Sequence, residues 1–98
     1  DQDDDLDFKQ KALFDIGRCL LALSQWESVI KHYTGLIQSM PRHPNMPDIL
    51  FYMGQAYEKK GERDRAIGFY KKVLTMDTDE DSPIHIKSKK ALTALGGA

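Results

Sequence analysis

Apolar residues recur three and four positions apart along most of the chain, which is the spacing of one face of an α-helix. One stripe contains Leu13, Ile16, Gly17 and Leu20, and a second contains Trp26, Val29, Ile30, Tyr33, Leu36 and Ile37. With the stripes that follow them, this pattern predicts five helices, at about 6–22, 26–39, 47–60, 63–76 and 83–95.

Residues that favour helix ends lie between the stripes. Ser24, with Glu27 three positions later, has the spacing of a capping box at the start of the second helix. Gly61 suits the left-handed conformation that often follows a helix. Ser82 followed by Pro83 predicts a cap and a first-turn proline for the last helix.

The chain repeats itself at an offset of 37 residues, which pairs Leu13 with Leu50, Phe14 with Phe51, Gly17 with Gly54, Ile30 with Ile67 and Tyr33 with Tyr70. A fixed period of this size indicates stacked supersecondary units. We therefore divide the 98 residues into one domain with an acidic lead-in (1–9), two repeats (10–46 and 47–83) and a capping helix with its tail (84–98). We also expect the chain to be a piece of a longer protein.

The second repeat resembles the tetratricopeptide repeat, whose pattern is W-x-x-L-G-x-x-Y followed by A-x-x-x-F. Its matching residues are Leu50, Met53, Gly54, Tyr57, Ala66 and Tyr70, and those of the first repeat are Leu13, Ile16, Gly17, Leu20, Val29 and Tyr33. The resemblance implies an all-α fold, a right-handed α-solenoid of antiparallel helix hairpins, in which glycine allows two helices to cross closely.

The repeat length departs from the usual 34 residues of this family. Extra residues fall at Pro44-Asn45-Met46, and Asp79-Glu80-Asp81 suggests a similar lengthening of the second unit. Long linkers of this kind are similar to those of bacterial scaffold and envelope members of the family. The sequence leaves the compartment open between the cytoplasm and the bacterial periplasm.

Composition excludes several classes of function. A formal charge of −1, with 41% apolar and 30% charged residues, does not suit a nucleic-acid binder, and no apolar run is long enough to insert into a membrane. Cys19 and three scattered histidines do not form a metal motif, and the acidic runs at 1–7 and 77–81 lack the Gly and Glu of a calcium loop. We expect no catalytic residues, no metal site and no cofactor.

The resemblance implies a concave groove lined by the first helix of each hairpin, which would bind a peptide or a helix of a partner protein. The residues that we expect to line it are Lys11, Phe14, Arg18, Leu21, Asp48, Phe51, Tyr52, Gln55, Lys59, His85, Ser88 and Lys89. Partly exposed rings of Phe14 and Phe51 would be its apolar anchors, since aromatic anchors tend to dominate interface energies.

The alternative to a binding module is a structural unit that assembles with other copies, as in an envelope or motility complex. The N-terminal end is acidic, whereas Lys87, Lys89 and Lys90 lie beside an apolar stripe of Ile84, Ala91 and Leu95 at the other end. The sequence therefore predicts a weak, salt-sensitive, head-to-tail homo-oligomer.

Overall fold

The computed structural model describes residues 2–97, and it describes side chains from Asp5 onward. Five helices follow one another, α1 (Gln2–Ala22), α2 (Trp26–Ser39), α3 (Met46–Lys59), α4 (Arg63–Met76) and α5 (Pro83–Ala94). No strand occurs within 2–97. The prediction of an all-α helical repeat is confirmed.

The first helix is longer than the sequence suggested. We expected an acidic lead-in before the first repeat, but α1 begins at Gln2 and includes Asp5 and Asp7 in its early turns. Carboxylates are favourable at a helix N-terminus because they oppose the positive end of the helix dipole. The side chains of Asp1, Asp3 and Asp4 lie outside the described residues.

The first helix of each hairpin, and α5 as well, ends in the same way. Ser24, Gly61 and Gly96 have φ values of 58°, 83° and 76°, in the left-handed region. The amide of the next residue then donates to a carbonyl of the last turn, from Gln25 to Leu20, from Glu62 to Tyr57 and from Gly97 to Leu92. A left-handed residue followed by such a bond is the Schellman motif.

The predicted capping box at Ser24 is therefore wrong. Gln25 occupies the N-cap position of α2 and makes no side-chain cap bond. Ser24 is instead the left-handed residue that ends α1, the place that Gly61 takes in the second hairpin. At the start of α5 Ser82 is the N-cap before Pro83, as predicted, but its hydroxyl donates to the carboxylate of Asp77 (2.5 Å).

A tyrosine ring lies on a glycine where the two helices of each hairpin cross. A Cβ added to Gly17 would lie 2.0 Å from the Tyr33 ring, and one added to Gly54 would lie 2.6 Å from the Tyr70 ring. Both distances are shorter than carbon atoms can approach. The close crossing expected from the glycines is thus present, and a tyrosine ring of the second helix fills the space at each glycine.

The core runs between the hairpins, because α3 packs against α1, α2, α4 and α5. Its buried apolar residues are Val29, Tyr33, Leu36, Met46, Ile49, Leu50, Phe51, Met53, Ala56, Ala66, Tyr70, Val73 and Leu92. Ile16, which the pattern placed in the core stripe, is 48% exposed. It lies on the side of α1 that no described helix covers.

Two histidines stabilise the links between helices through hydrogen bonds to the backbone. His43, buried in the link before α3, donates from Nε2 to the carbonyl of Gln10 (2.9 Å), while its Nδ1 accepts from the amide of Asn45 (3.0 Å). His85 donates from Nδ1 to the carbonyl of Asp77 (2.7 Å). Both links are therefore tied to a neighbouring helix or helix end.

The acidic run at 77–81 supplies acceptors to its own loop. The carboxylate of Asp77 accepts from the amide of Asp79 (3.1 Å), and that of Asp79 accepts from the amide of Asp81 (3.0 Å). Such side-chain-to-backbone bonds stabilise turns. These carboxylates shape the link between α4 and α5.

Candidate functional site

The first helices of the hairpins lie side by side, since α3 contacts α1 on one side and α5 on the other. Two hollows open along this row of helices. One lies beside α1 and the other between α3 and α5. Six of the predicted groove residues line them.

The hollow beside α1 has a volume of about 300 Å³ and contains Lys11, Phe14 and Arg18, as the sequence predicted. The guanidinium of Arg18 lies over the Phe14 ring, 5.9 Å from its centroid. Asp15 pairs with Arg18 (3.6 Å) and with Lys11 (3.8 Å) on the exposed surface. Exposed pairs of this kind contribute at most about 1 kcal/mol, so both cations remain available to a ligand.

The hollow between α3 and α5 has a volume of about 450 Å³. Its lining consists of Phe51, Tyr52, Gln55, Lys87, Lys90, Ala91 and Ala94. The first three were predicted from the sequence. The floor is apolar, an amide lies at its edge, and two lysines of α5 lie along one side.

A row of aromatic rings joins the two hollows. The Phe14 and Tyr52 rings stack with centroids 6.0 Å apart, and Phe51 meets Tyr52 edge-on at 6.0 Å. The expectation that Phe51 is partly exposed is wrong, because only 8% of it is exposed. Tyr52 lies between the two phenylalanines and is more accessible than Phe51.

His85 and Lys89 do not lie in this groove. They line a neighbouring hollow of about 700 Å³ along α5, which shares Lys90 and Ala94 with the groove, and His85 is buried. Ser88, the third α5 residue expected in the groove, is fully buried. The predicted lining of α5 is therefore wrong.

The cause is a change of register between α3 and α5. The left-handed residues Ser24 and Gly61 are 37 positions apart, but Gly61 and Gly96 are 35 positions apart. Equivalent residues of α3 and α5 are therefore separated by two positions fewer than those of α1 and α3. With an offset of 35, Tyr52 and Gln55 correspond to Lys87 and Lys90, which do line the groove. The helix-ending Gly96 was the signal in the sequence that could have identified them.

The same register places Lys89 at the glycine position of the repeat, the position of Gly17 and Gly54. In the hairpins that position lies under a tyrosine ring. In α5 it carries an exposed, charged side chain.

Three other predicted residues lie away from the described hollows. Leu21 is half-buried and packs against the core, and Asp48 in the first turn of α3 is also half-buried. Lys59 is exposed in the last turn of α3. The groove residues that the structure brings together are therefore those near Phe14, Tyr52 and Lys90.

The two core tyrosines act as hydrogen-bond donors. The Tyr33 hydroxyl donates to the carbonyl of Phe14 (2.7 Å), and the Tyr70 hydroxyl donates to Glu58 (2.9 Å). Burial raises the pKa of Tyr33, and burial together with the Glu58 carboxylate raises the pKa of Tyr70. Both rings therefore stay neutral and serve the packing of the hairpins.

Within the described part of the chain, no three His, Cys, Asp or Glu side chains come together as they would around a metal ion. None of the described helices has the length and apolar character needed to cross a membrane.

Comparison with known protein families matches residues 50–84 to the tetratricopeptide repeat. The matched segment includes most of α3, all of α4 and the link to α5, and its glycine and tyrosine form the crossing described above. No curated protein matches the chain. Helices with these contacts, and a family match over the second hairpin, show that the chain contains a tetratricopeptide repeat domain.

Proposed function

We propose that the chain is a protein-interaction module that binds an acidic, partly apolar segment of another protein in the groove between α3 and α5. The tetratricopeptide family suggests protein–protein interaction as its general role. The main support for an acidic, partly apolar ligand is the hollow of about 450 Å³, which has an apolar floor and two lysines beside it.

The chemistry of the lining favours this class of ligand. Tyr52, Ala91 and Ala94 offer apolar surface to one or two side chains of the bound segment, and Gln55 can donate to and accept from its backbone. Lys87 and Lys90 are exposed and make no ion pair within the described residues. They are therefore free to pair with carboxylates of a partner.

Arg18 and Lys11 extend the positive surface past the aromatic row. A bound segment that reaches from α5 to α1 would meet Lys90, then the Tyr52 ring, then Arg18. Charge at both ends and an aromatic ring between them favour a ligand with an apolar residue flanked by acidic residues. Electrostatic pairing of this kind speeds association and weakens as salt rises.

A selection from a library of random peptides tests the proposal. We expect enriched sequences to combine acidic residues with an aromatic or aliphatic residue, and binding of a selected peptide to weaken at least about tenfold in Lys87→Glu/Lys90→Glu. The matched control is Lys31→Glu/Lys71→Glu, which reverses two exposed lysines on α2 and α4. Equal loss in both variants would show that net charge, not this groove, determines binding.

A second variant fills the groove without changing its charge. Ala94 lines the groove on the exposed side of α5, so Ala94→Trp should block it. Thr93 lines the neighbouring hollow but not the groove, so Thr93→Trp should bind the peptide normally. Unchanged binding in Ala94→Trp, with helicity intact by circular dichroism, would exclude this groove as the site.

A further inference from the structure

The outer side of α1 carries a stripe of apolar residues that is separate from both the core and the groove. It consists of Phe8, Ala12, Ile16, Cys19 and Leu23, spaced by four, four, three and four residues, and we name it the edge stripe. Phe8, Ile16 and Leu23 are 77%, 48% and 65% exposed. Three and four residue spacings align side chains along one face of a helix.

The equivalent positions are buried elsewhere in the array. On α3 they are Ile49, Met53 and Ala56, each 1% exposed or less. Lys60 takes the position of Leu23, and its ammonium group bonds to Glu27 at the start of α2. The edge stripe therefore corresponds to the face with which α3 packs against the preceding hairpin.

The same holds for α5. Ile84, Ala91 and Leu95 occupy these positions at the offset of 35 residues, and all three pack against the core beside α4. The exposed apolar stripe expected on α5 is thus covered by its own array. Of α1, α3 and α5, the described chain leaves this face uncovered by another helix only on α1.

We propose that a second copy of this chain covers the edge stripe, with the two α1 helices packed antiparallel about a two-fold axis near Ile16. The stripe has large residues at its ends and centre and small residues between them. In an antiparallel pair Phe8 meets Leu23 of the other copy, Ala12 meets Cys19, and Ile16 meets Ile16. The same patch therefore meets itself across the axis, as a two-fold interface requires, and the small pair lets the two helices approach closely.

The opposite end of the array does not fit the edge stripe. The outer side of α5 presents Lys89, Lys90 and Thr93, with Ile86 as its large exposed apolar residue. A head-to-tail contact would place apolar residues of α1 against these lysines. The two-fold arrangement instead buries apolar surface on both sides and leaves Phe14, Arg18 and the groove accessible, so it does not depend on the proposed peptide binding.

The size of the contact sets the expected affinity. Four to five turns of paired helix bury about 800–1,000 Å² in total, at the lower limit for specific association. We therefore expect a dissociation constant in the micromolar range, and little change between about 50 and 500 mM salt because the contact is apolar.

Sedimentation velocity from about 5 to 500 µM tests the proposal. We expect the mass to rise from 11.2 kDa to a limit of twice that value. Ile16→Asp should stay monomeric at every concentration, while Ile86→Asp, which changes an isoleucine of similar exposure on α5, should dimerise like the parent. A monomeric parent, growth past the dimer, or loss of dimer in Ile86→Asp rather than Ile16→Asp would each overturn the proposal.

Cross-linking tests the orientation of the two helices. In the antiparallel pair Cys19 lies three residues from the axis, so the two sulfur-bearing residues are separated by about 9 Å along the helices, too far for a disulfide. Ile16→Cys in a Cys19→Ser background should form a disulfide-linked dimer on mild oxidation. If Ile86→Cys in the same background cross-links as fast, random collision explains the product and the antiparallel arrangement is wrong.

Discussion

The two hairpins place side chains at matching positions but bury them to different degrees. Met53 on α3 is 1% exposed, whereas Ile16, at the same position on α1, is 48% exposed. Their local sequences are similar, and both helices cross a partner helix at a glycine under a tyrosine ring. The difference arises because α3 has a hairpin on one side and α5 on the other, while α1 has neighbours on one side only.

This comparison shows what a repeat pattern can specify. The pattern determines the contacts inside a hairpin, because glycine and tyrosine belong to the same unit. Burial between hairpins depends on the neighbouring unit that is present. A position can thus be core in one repeat and exposed in another.

The largest difference between the hairpins should come from truncating this shared position. Met53→Ala removes a fully buried side chain and should lower the free energy of unfolding by about 2–5 kcal/mol. Ile16→Ala should change it by about 0.5 kcal/mol or less when measured at low micromolar concentration, where copies are apart. Urea unfolding measures both. Similar losses in the two variants would show that α1 is as firmly packed as α3.

Large residues at the glycine crossings test how firmly α1 and α3 are each held in place. Gly54→Leu should cost about 1–3 kcal/mol or more, since Tyr70 cannot move away within the core. Gly17→Leu should cost less because α1 can shift outward. Gly35→Ala and Gly68→Ala are matched controls, with open space around the added carbon, and should stabilise by about 0.5–1 kcal/mol through helix propensity.

The melting temperatures of these glycine variants measure the expected differences in stability. If Gly17→Leu is the more damaging variant, the edge helix is held in place as rigidly as the central one. If Gly54→Leu melts with the parent, the explanation of the glycines by ring packing is wrong.

Alkaline pH tests the buried tyrosines of both hairpins. Their pKa values are raised in the folded state, so the contribution of neutral Tyr33 and Tyr70 is complete below the unfolded value of about 10 and is lost as pH rises above it. We expect tyrosinate absorbance from these rings to appear together with loss of helicity. Ionisation of both rings near pH 10 in a chain that keeps its circular dichroism would contradict the packing described here.

The smallest effect concerns the ion pair that joins the hairpins. The Lys60 ammonium bonded to Glu27 lowers the pKa of that carboxyl below 4.5, so its contribution is present at neutral pH and is lost as pH falls below that value. Glu27→Gln should melt slightly below the parent at pH 7, and the gap should narrow as the pH falls through the lowered pKa of Glu27. A gap that does not narrow would point to packing rather than charge.

Much of the fold follows from the sequence for physical reasons. Helical spacing predicted all five helices, and only the start of α1 differs by more than one residue, because an acidic segment also suits a helix N-terminus. The glycine crossings were expected since glycine inside a helix is costly without a packing reason.

The site was less predictable because it depends on register and on neighbours. A constant offset of 37 placed His85 and Lys89 in the groove, and the two-residue change at α5 moved Lys87 and Lys90 there instead. The hydrophobic pattern also did not predict which aromatic rings are exposed. Phe51 is covered by rings from its own and adjoining helices, including Tyr70 and Tyr52, none of which its local sequence reveals.

Lys89, at the glycine position of α5, has a consequence for how large an assembly can become. A tyrosine ring cannot approach that position as it approaches Gly54, so the α5 end lacks the glycine crossing that joins the two helices of each hairpin. With the two-fold pairing proposed above, each copy joins one other copy through α1. A concentrated solution should then contain finite particles and stay clear, where a solenoid that stacked at both ends would grow into fibres.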